Sequence, residues 1–158
     1  MPVLDLPDLR EVLPGGARLF GLDVGAKTIG VAVSDARLAV AAPVTTIRRR
    51  KFTTDATALE ALIDERGVGG LIVGLPVNMD GSEGPRCQST RQFAANLLGR
   101  RDMPVAFWDE RLSTAAVERV LIEEADMSRR RRAEVVDKMA AAYILQGALD
   151  AMAAGPPR

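Results

Sequence analysis

The sequence predicts an α/β domain in which five strands form one mixed sheet with helices on its faces. Three strand-like segments follow one another between Leu19 and Ile47 with only short links, as antiparallel strands do. Two short apolar segments, at 70–74 and 105–110, are separated by a segment of helical periodicity. Because strands joined through helices usually pair in parallel, these two segments predict the parallel part of the sheet.

The first two strands are predicted to form a hairpin. In LFGLDVG, residues 19–25, large apolar residues alternate with small or acidic ones. The same alternation returns over Thr28–Ser34 after a short link that contains glycine. A third strand is predicted over 40–47, and Pro43 within it indicates a bulge or an edge position.

Apolar residues at helical spacing predict four helices in the remainder of the chain. These helices are predicted at 52–66, 86–100, 113–124 and 134–152. A loop rich in glycine and proline is predicted at 75–85, and a basic connector at 127–132. The order of elements is therefore three strands, a helix, a strand, a helix, a strand and two helices.

The length of 158 residues suits one compact domain. We expect that domain to span 18–152, with a proline-containing N-terminal arm at 1–17 and a C-terminal tail at 153–158. No apolar run reaches the roughly 18 residues of a membrane helix. The N-terminus also lacks the apolar region of a secretory signal. These features predict a cytoplasmic protein that does not enter a membrane.

The chain contains no histidine, and this absence excludes several classes of enzyme. Serine and cysteine nucleophiles that depend on a histidine base cannot be built. Zinc sites with histidine ligands are excluded as well. The single cysteine, Cys87, allows neither an internal disulfide nor a four-cysteine zinc site. Catalysis would therefore rest on carboxylates, lysine, hydroxyl groups or a hard metal ion.

Four acidic residues on three separate elements are candidates for a catalytic site. Asp23 interrupts an apolar strand, where aspartate is unfavourable, although a turn aspartate that caps its own backbone is the alternative. Asp109 and Glu110 end the last predicted strand, where functional groups of parallel sheets collect. Asp137 shares a helical stripe with small alanines, although the helix dipole alone also favours an acid near a helix N-terminus.

Acidic side chains that converge raise one another's pKa and need a cation to stay ionised. Oxygen ligands without histidine or cysteine favour Mg²⁺ or Mn²⁺. Two such ions about 4 Å apart can activate water and stabilise the leaving oxygen of a phosphodiester. Because adjacent strand residues point to opposite faces, we expect one of Asp109 and Glu110 to bind metal and the other to pair with Arg111.

The formal net charge is zero, but eight of the 21 basic residues lie in two runs, at 48–51 and 129–132. Such runs can bind phosphates, or they can be two solvated turns. The segment 74–84 lies between a predicted strand and a predicted helix. That position suits a backbone cradle for an anion, with an ordinary long loop as the alternative.

Four segments together resemble the signature blocks of a known family. They are GLDVGAKTIGVAVSD (21–35), IVGLPVNMDGSEGPR (72–86), WDERLST (108–114) and VDKMAAAYILQ (136–146). In this order they resemble the YqgF family, also called RuvX, over most of the chain. The resemblance implies a ribonuclease H-like fold and a role in maturing the 5′ end of 16S ribosomal RNA. It also implies that Asp23 is the first-strand acid, Glu110 or Asp109 the second, and Asp137 the acid on the last helix.

The first hypothesis is a metal-dependent nuclease that acts on the precursor of 16S ribosomal RNA. The candidate catalytic residues are Asp23, Asp109, Glu110 and Asp137, and the candidate ligands of Mg²⁺ or Mn²⁺ are Asp23, Glu110 and Asp137. The candidate contacts to nucleic acid are Lys27, Asn78, Arg86, Arg111, Arg48, Arg49, Arg50, Arg129, Arg130, Arg131 and Arg132. Either a monomer or a homodimer could carry out this cleavage.

Two other activities remain open. A Holliday junction resolvase would use the same acids on branched DNA, and its two symmetric cuts would require a homodimer. An ATPase related to actin and the sugar kinases would also have an Asp-x-Gly hairpin, as at 23–25. Such enzymes bind nucleotide between two domains, whereas this chain has room for one. A ribosome-bound module with a decayed site is disfavoured because the acids are intact.

Overall fold

The computed structural model describes residues 3–112 and 129–154, with side chains described outside 129–135. Its strands are β1 (Arg18–Val24), β2 (Thr28–Ser34), β3 (Ala41–Arg48), β4 (Val68–Leu75) and β5 (Val105–Asp109). Its helices are α1 (Leu6–Val12), α2 (Phe52–Arg66), α3 (Pro85–Arg100) and α4 (Arg129–Ala154), and a 3₁₀ turn spans Glu110–Leu112.

The five strands form one mixed sheet in the order β3-β2-β1-β4-β5. β1, β2 and β3 pair antiparallel, whereas β4 pairs in parallel with both β1 and β5. The predicted sheet of three antiparallel strands followed by parallel ones is therefore confirmed. Pro43 lies on the edge strand β3, beside a register shift between Val31 and Ala32 of β2. This proline therefore marks both an edge strand and a bulge, the two possibilities that the sequence indicated.

Both faces of the sheet are covered, because α2 and α3 pack on one face and α4 on the other. Alternate residues of β1 supply the two cores: Phe20 and Leu22 face α2 and α3, and Leu19 faces α4. This arrangement buries all but the first residue of β1. Burying a charged side chain in the middle of such a strand costs free energy unless a charged or hydrogen-bonding partner compensates for the lost hydration.

The last helix begins earlier than predicted. The structure starts α4 at Arg129, so the segment 129–132, predicted as part of a connector, is helical. The prediction treated 127–132 as a basic connector and placed the start at Glu134, and basic residues do oppose the positive end of a helix dipole. Arginine nevertheless has a high intrinsic helix propensity, and here that propensity prevails. α4 also ends at Ala154, two residues beyond the predicted Met152.

The N-terminal segment contains a helix that the sequence analysis did not predict. Leu9 of α1 is fully buried in the core on the α4 face of the sheet. Val3 forms a parallel bridge with Val105, and the Leu4 N–H donates to the Val105 carbonyl at 2.8 Å. A helix of seven residues is too short to give a clear periodic signal in the sequence.

Two predicted segments lie outside the described residues. They are the helix at 113–124 and the final residues of the tail, 155–158. Within the described parts of the chain, no helix combines the length and the apolar character that a membrane span requires.

Candidate active site

Asp23 lies near the end of β1 on the face that packs against α4. It pairs across the hairpin with Gly30 of β2, and only 8% of its surface is exposed. The hairpin closes directly beyond it, where the Gly25 N–H donates to the Thr28 carbonyl at 2.8 Å. Asp23 is thus a buried acid in regular strand structure. The alternative of a turn aspartate that caps its own backbone does not describe it.

Glycines in the sheet allow α4 to approach the acid closely. A Cβ atom at Gly21 would lie 2.6 Å from the Cβ of Leu145, and one at Gly30 would overlap the backbone carbonyl of Asp137. Any larger residue at either position would force the helix away from the sheet. The glycines on β1 and β2 therefore place Asp137 directly beside the strand pair that carries Asp23.

The side chain of Asp137 is held by β2. Its Oδ2 accepts a hydrogen bond from Thr28 Oγ1 at 2.6 Å. The residue lies two turns into α4, beyond the first turn to which dipole stabilisation is confined, so the helix dipole does not account for it. Thr28 was not among the predicted site residues, although its strand alternation with Gly30 would have indicated the same face.

Glu110 reaches the site from the other side of Asp23. The chain leaves β5 after Asp109 and turns into the 3₁₀ helix that begins at Glu110. The Oε1 atom of Glu110 lies 3.0 Å from the position that a Cβ of Gly74 would occupy, so its side chain crosses β4 at a glycine. β4 is the strand next to β1, and Gly74 follows the last pair between them, Leu22 with Val73. Glu110 and Asp23 therefore share one face.

Asp109 has a different role in the geometry. Both of its carboxylate oxygens accept hydrogen bonds from the Arg111 guanidinium, at 2.6 to 3.1 Å. The bond from Arg111 lowers the pKa of Asp109 below its ordinary value. The ion pair is therefore present above the usual carboxyl range and is lost only as the pH falls through that lowered pKa. Asp109 thus pairs with Arg111, as expected for one of the two neighbouring acids.

Arg111 also holds the loop between β4 and α3. Its Nη1 donates to the Met79 carbonyl at 3.2 Å. Within this loop the Asn78 N–H donates to the Ser82 carbonyl, and Asp80 accepts from both the N–H and the hydroxyl of Ser82. The side-chain amide of Asn78 also donates to the Ser82 hydroxyl. Asn78, predicted as a contact to nucleic acid, is therefore hydrogen-bonded within the loop.

The oxygen atoms of Asp23, Glu110 and Asp137 are suited to a hard divalent cation. Asp23 lies between the other two, with Asp137 over its β2 partner and Glu110 over the neighbouring β4. Across the described ranges 3–112 and 129–154, no three acidic or cysteine side chains lie close enough together to hold a metal ion by themselves. An ion here would complete its shell with water and substrate oxygens, as Mg²⁺ commonly does.

The first basic run lies beside the hairpin turn. The Arg49 N–H donates to the Lys27 carbonyl, and its Nη1 donates to the Gly25 carbonyl at 2.7 Å. Lys27, Arg48 and Arg50 are exposed near this turn. The backbone N–H of Arg50 is held by the buried carboxylate of Asp55, which fixes the passage from β3 into α2.

A cavity of about 290 Å³ opens between this turn and the first turns of α3. Arg49 lines it from one side, and Arg86, Ser89 and Thr90 line it from the other. Of these four residues the sequence analysis named the two arginines and missed the two hydroxyl residues. The second basic run, 129–132, lies on the first turn of α4, and its side chains are outside the described set.

Comparison with known proteins gives a consistent result over nearly the whole chain. Residues 17–151 match the sequence model of a family described as RuvX, Holliday junction resolvase. A protein of Rhodospirillum rubrum is 64% identical over 152 residues, which cover 96% of this chain and 94% of the relative. One of Paramagnetospirillum magneticum is 65% identical over 150 residues, covering 95% and 96%. Both are named “Putative pre-16S rRNA nuclease”.

Solved structures resemble the fold at low sequence identity. Thermus thermophilus RuvC, solved in complex with a Holliday junction substrate, superposes with a TM-score of 0.54 at 10% identity, covering 86% of this chain and 96% of RuvC. The yeast mitochondrial Holliday junction resolvase Ydc2 gives a TM-score of 0.51 at 12% identity, covering 94% and 84%. These similarities confirm the ribonuclease H-like fold.

Proposed function

The chain belongs to the RuvX family, and from that premise we propose that it is a metal-dependent nuclease that hydrolyses phosphodiester bonds. The observation that carries the proposal is the placement of Asp23, which is buried on one sheet face between Glu110 and Asp137. Three carboxylates on three separate elements provide the oxygen ligands that a hard divalent cation prefers.

The residues that would hold the metal are Asp23, Glu110 and Asp137, with Mg²⁺ or Mn²⁺ as the ion. When bound, such ions activate a water molecule and stabilise the leaving oxygen of the phosphodiester. The chain itself fixes the carboxylates. Thr28 holds the Asp137 side chain, and Gly30 and Gly74 leave the space above the sheet that these acids need.

The basic residues at the same end of the sheet would bind the substrate backbone. Lys27 and Arg86 are exposed there, and Arg111 fixes the loop that follows β4. Contacts of this kind neutralise phosphates without reading sequence, so they position the strand and leave the choice of cleavage site to other features. The arginines at 129–132 are further candidates for such contacts.

We assign the precursor of 16S ribosomal RNA as the substrate, because the relatives that are 64% and 65% identical bear that name. The matches cover 94% and 96% of the relatives' length. Processing of ribosomal RNA would place the protein in the cytoplasm, in contact with free precursor RNA or with a ribosomal particle. A monomer suffices for a single cut.

Resolution of a four-way DNA junction is the second candidate, favoured by the description of the matching family. The same acids would act on a different substrate. Two symmetric cuts require two copies of the site related by a twofold axis, so this activity requires a homodimer. The oligomeric state in solution therefore separates the two candidates before any cleavage is measured.

A paired cleavage assay tests the proposal. One substrate is an RNA that carries the precursor sequence at the 5′ end of 16S ribosomal RNA, and the other is a DNA four-way junction. Each is incubated with the protein in Mg²⁺, in Mn²⁺ and in excess chelator. We expect cleavage of the RNA with either metal and none with chelator, because the proposed mechanism relies on metal ions to activate water and to stabilise the leaving oxygen.

Symmetric cleavage of the junction alone, by a dimer, would move the function to DNA recombination and leave the acidic site as described. Cleavage that persists in chelator would contradict the metal-dependent mechanism. Failure to cleave either substrate, with both metals, would contradict the proposal that the isolated chain is a nuclease.

A further inference from the structure

We propose that the cavity between the β1–β2 turn and α3 binds a phosphate group of the substrate strand, next to the phosphate that is cleaved. This inference rests on the proposed nuclease function and adds a second binding site to it. The cavity, of about 290 Å³, is large enough for a phosphate with part of its sugar and is separate from the acidic face.

Arg49 supplies a positive charge with donors to spare. Its Nη1 binds the Gly25 carbonyl at 2.7 Å, and its guanidinium stacks over the Phe93 ring at 5.3 Å from the ring centre. These two contacts fix the plane of the group. Within the described residues no carboxylate pairs with Arg49, so its remaining N–H groups can serve a bound anion.

The opposite wall is the start of α3. Arg86 is exposed on the first turn and has no acidic partner in the part of the chain that the structure describes. Gly84 provides no side-chain cap, so the first N–H groups of this helix of 16 residues are not capped by a side chain. Among the described residues, no acidic side chain lines the cavity, and a helix N-terminus with two arginines favours an anion.

A hydroxyl group on α3 gives the independent observation. Thr90 is only 2% exposed as a residue and lines the cavity, and its hydroxyl makes no hydrogen bond within the described residues. Its oxygen is not one of the fully buried atoms without a partner, so the hydroxyl is open to the cavity and can donate to an anion bound there. A phosphate oxygen in the cavity would satisfy Thr90, and the exposed Ser89 hydroxyl one residue earlier could add a second bond.

The location fits a neighbouring phosphate of the same strand. Val24 lines the cavity and follows Asp23 directly in β1. Successive Cα atoms are about 3.8 Å apart, so the cavity begins beside the acid but on the opposite face of the sheet. A nucleic-acid strand that passes over the end of β1 would place one of its phosphates at the acids and another in the cavity.

The first test measures anion binding to the full chain in excess chelator, with no metal present. Inorganic phosphate is titrated while the backbone amide resonances of residues 86–90 are followed by NMR. We expect these resonances to shift and saturate. Arg49→Gln, Arg86→Gln and Thr90→Val should each weaken binding, by about tenfold for the arginines, because a charged hydrogen bond is lost.

Arg91→Gln is the matched control, because Arg91 lies on α3 but pairs with Glu83 at 2.7 Å and does not line the cavity. It should bind phosphate like the wild type. Thermal unfolding of every variant checks the fold. Thr90→Val is nearly isosteric, so it tests the hydroxyl even if an arginine variant folds poorly.

A second arm identifies the source of the phosphate. A single-stranded RNA oligonucleotide is added to the phosphate-bound, metal-free protein, and we expect it to displace inorganic phosphate and to bind about tenfold more weakly to Arg86→Gln. In the cleavage reaction these variants should raise KM with little change in kcat, because the contact is equal in ground and transition states.

The outcomes separate this inference from the proposed function. Phosphate binding to a protein that cleaves nothing would reject the nuclease and keep the cavity site. Cleavage of RNA without any shift at 86–90 would overturn the cavity site alone. Phosphate that RNA cannot displace would also overturn it, since the cavity would then serve a free anion.

Discussion

At the scale of single residues, Asp109 and Glu110 are adjacent in the chain but differ in position: Asp109 pairs with Arg111, whereas the Glu110 side chain reaches Gly74. The prediction that one of the two would pair with Arg111 is confirmed, and the metal-binding role of the other stays a prediction. Sequence alone could not say which acid would pair, because the answer depends on where β5 ends. The chain enters a 3₁₀ turn at Glu110, and Gly74 on the next strand leaves room for its side chain. Neither feature has a local signature in the sequence.

This difference predicts unequal effects of two neighbouring substitutions. Glu110→Gln should weaken Mn²⁺ binding and cleavage by more than about a hundredfold, since loss of a ligand exceeds the typical cost of losing an outer partner. Asp109→Asn should lower cleavage by about tenfold or less and leave Mn²⁺ binding intact, because Asp109 acts through Arg111. Isothermal titration with Mn²⁺ and a cleavage assay measure both. Equal loss of Mn²⁺ binding in the two variants would contradict the assignment.

At the scale of elements, most of the fold could be predicted because each strand and helix carries its own periodicity. The helix Phe52–Arg66 has the predicted bounds, and the hairpin lies where alternation placed it. The start of α4 could not be predicted, since helix propensity and the helix dipole oppose each other at Arg129. The sequence indicated, from the alanines of α4, that this helix could approach the sheet closely. It did not identify the sheet glycines over which α4 packs.

Gly30→Ala tests that close approach. A Cβ at this position overlaps the Asp137 carbonyl, so α4 must shift and carry its carboxylate away from Asp23. We expect a loss of about 1–3 kcal/mol in the free energy of unfolding and a large fall in cleavage. Urea denaturation and the cleavage assay measure the two effects.

The control for this substitution is Gly99→Ala. Gly99 lies in α3 with open space where a Cβ would be, so alanine should stabilise the helix by up to about 1 kcal/mol and leave cleavage unchanged. Wild-type stability and activity in Gly30→Ala would contradict the close packing on which the site depends.

At the scale of the whole molecule, the N-terminal segment is part of the packed structure. This packing could not be predicted from the sequence, because α1 is one short helix whose burial depends on the distant β5 edge and on α4. Arg10 strengthens the attachment by donating to the Met152 carbonyl of α4 at 3.0 Å. Contacts between the two ends of the chain leave no local pattern in the sequence, so they could not be predicted. The four segments that resemble the family could, taken together, predict the fold of the region that they span.

Leu9→Ala measures how much this attachment stabilises the protein. Leu9 is fully buried, so its truncation should lower the free energy of unfolding by about 2–5 kcal/mol. Val12→Ala, on the same helix but 41% exposed, should change it by about 0.5 kcal/mol or less. Urea denaturation gives both values. A cost for Leu9→Ala as small as that for Val12→Ala would show that the segment is not packed in solution.

The most direct test of the central claim is the cleavage rate of Asp23→Asn on the substrate that the wild type cuts, in Mg²⁺ and Mn²⁺. Asp64→Asn is the control, because Asp64 is exposed on α2 and pairs only with Arg101 in the described residues. We expect Asp23→Asn to fold normally and to lose more than about a thousandfold in rate, with Asp64→Asn active. A folded Asp23→Asn protein that cleaves at the wild-type rate would contradict the claim that these acids form the active site.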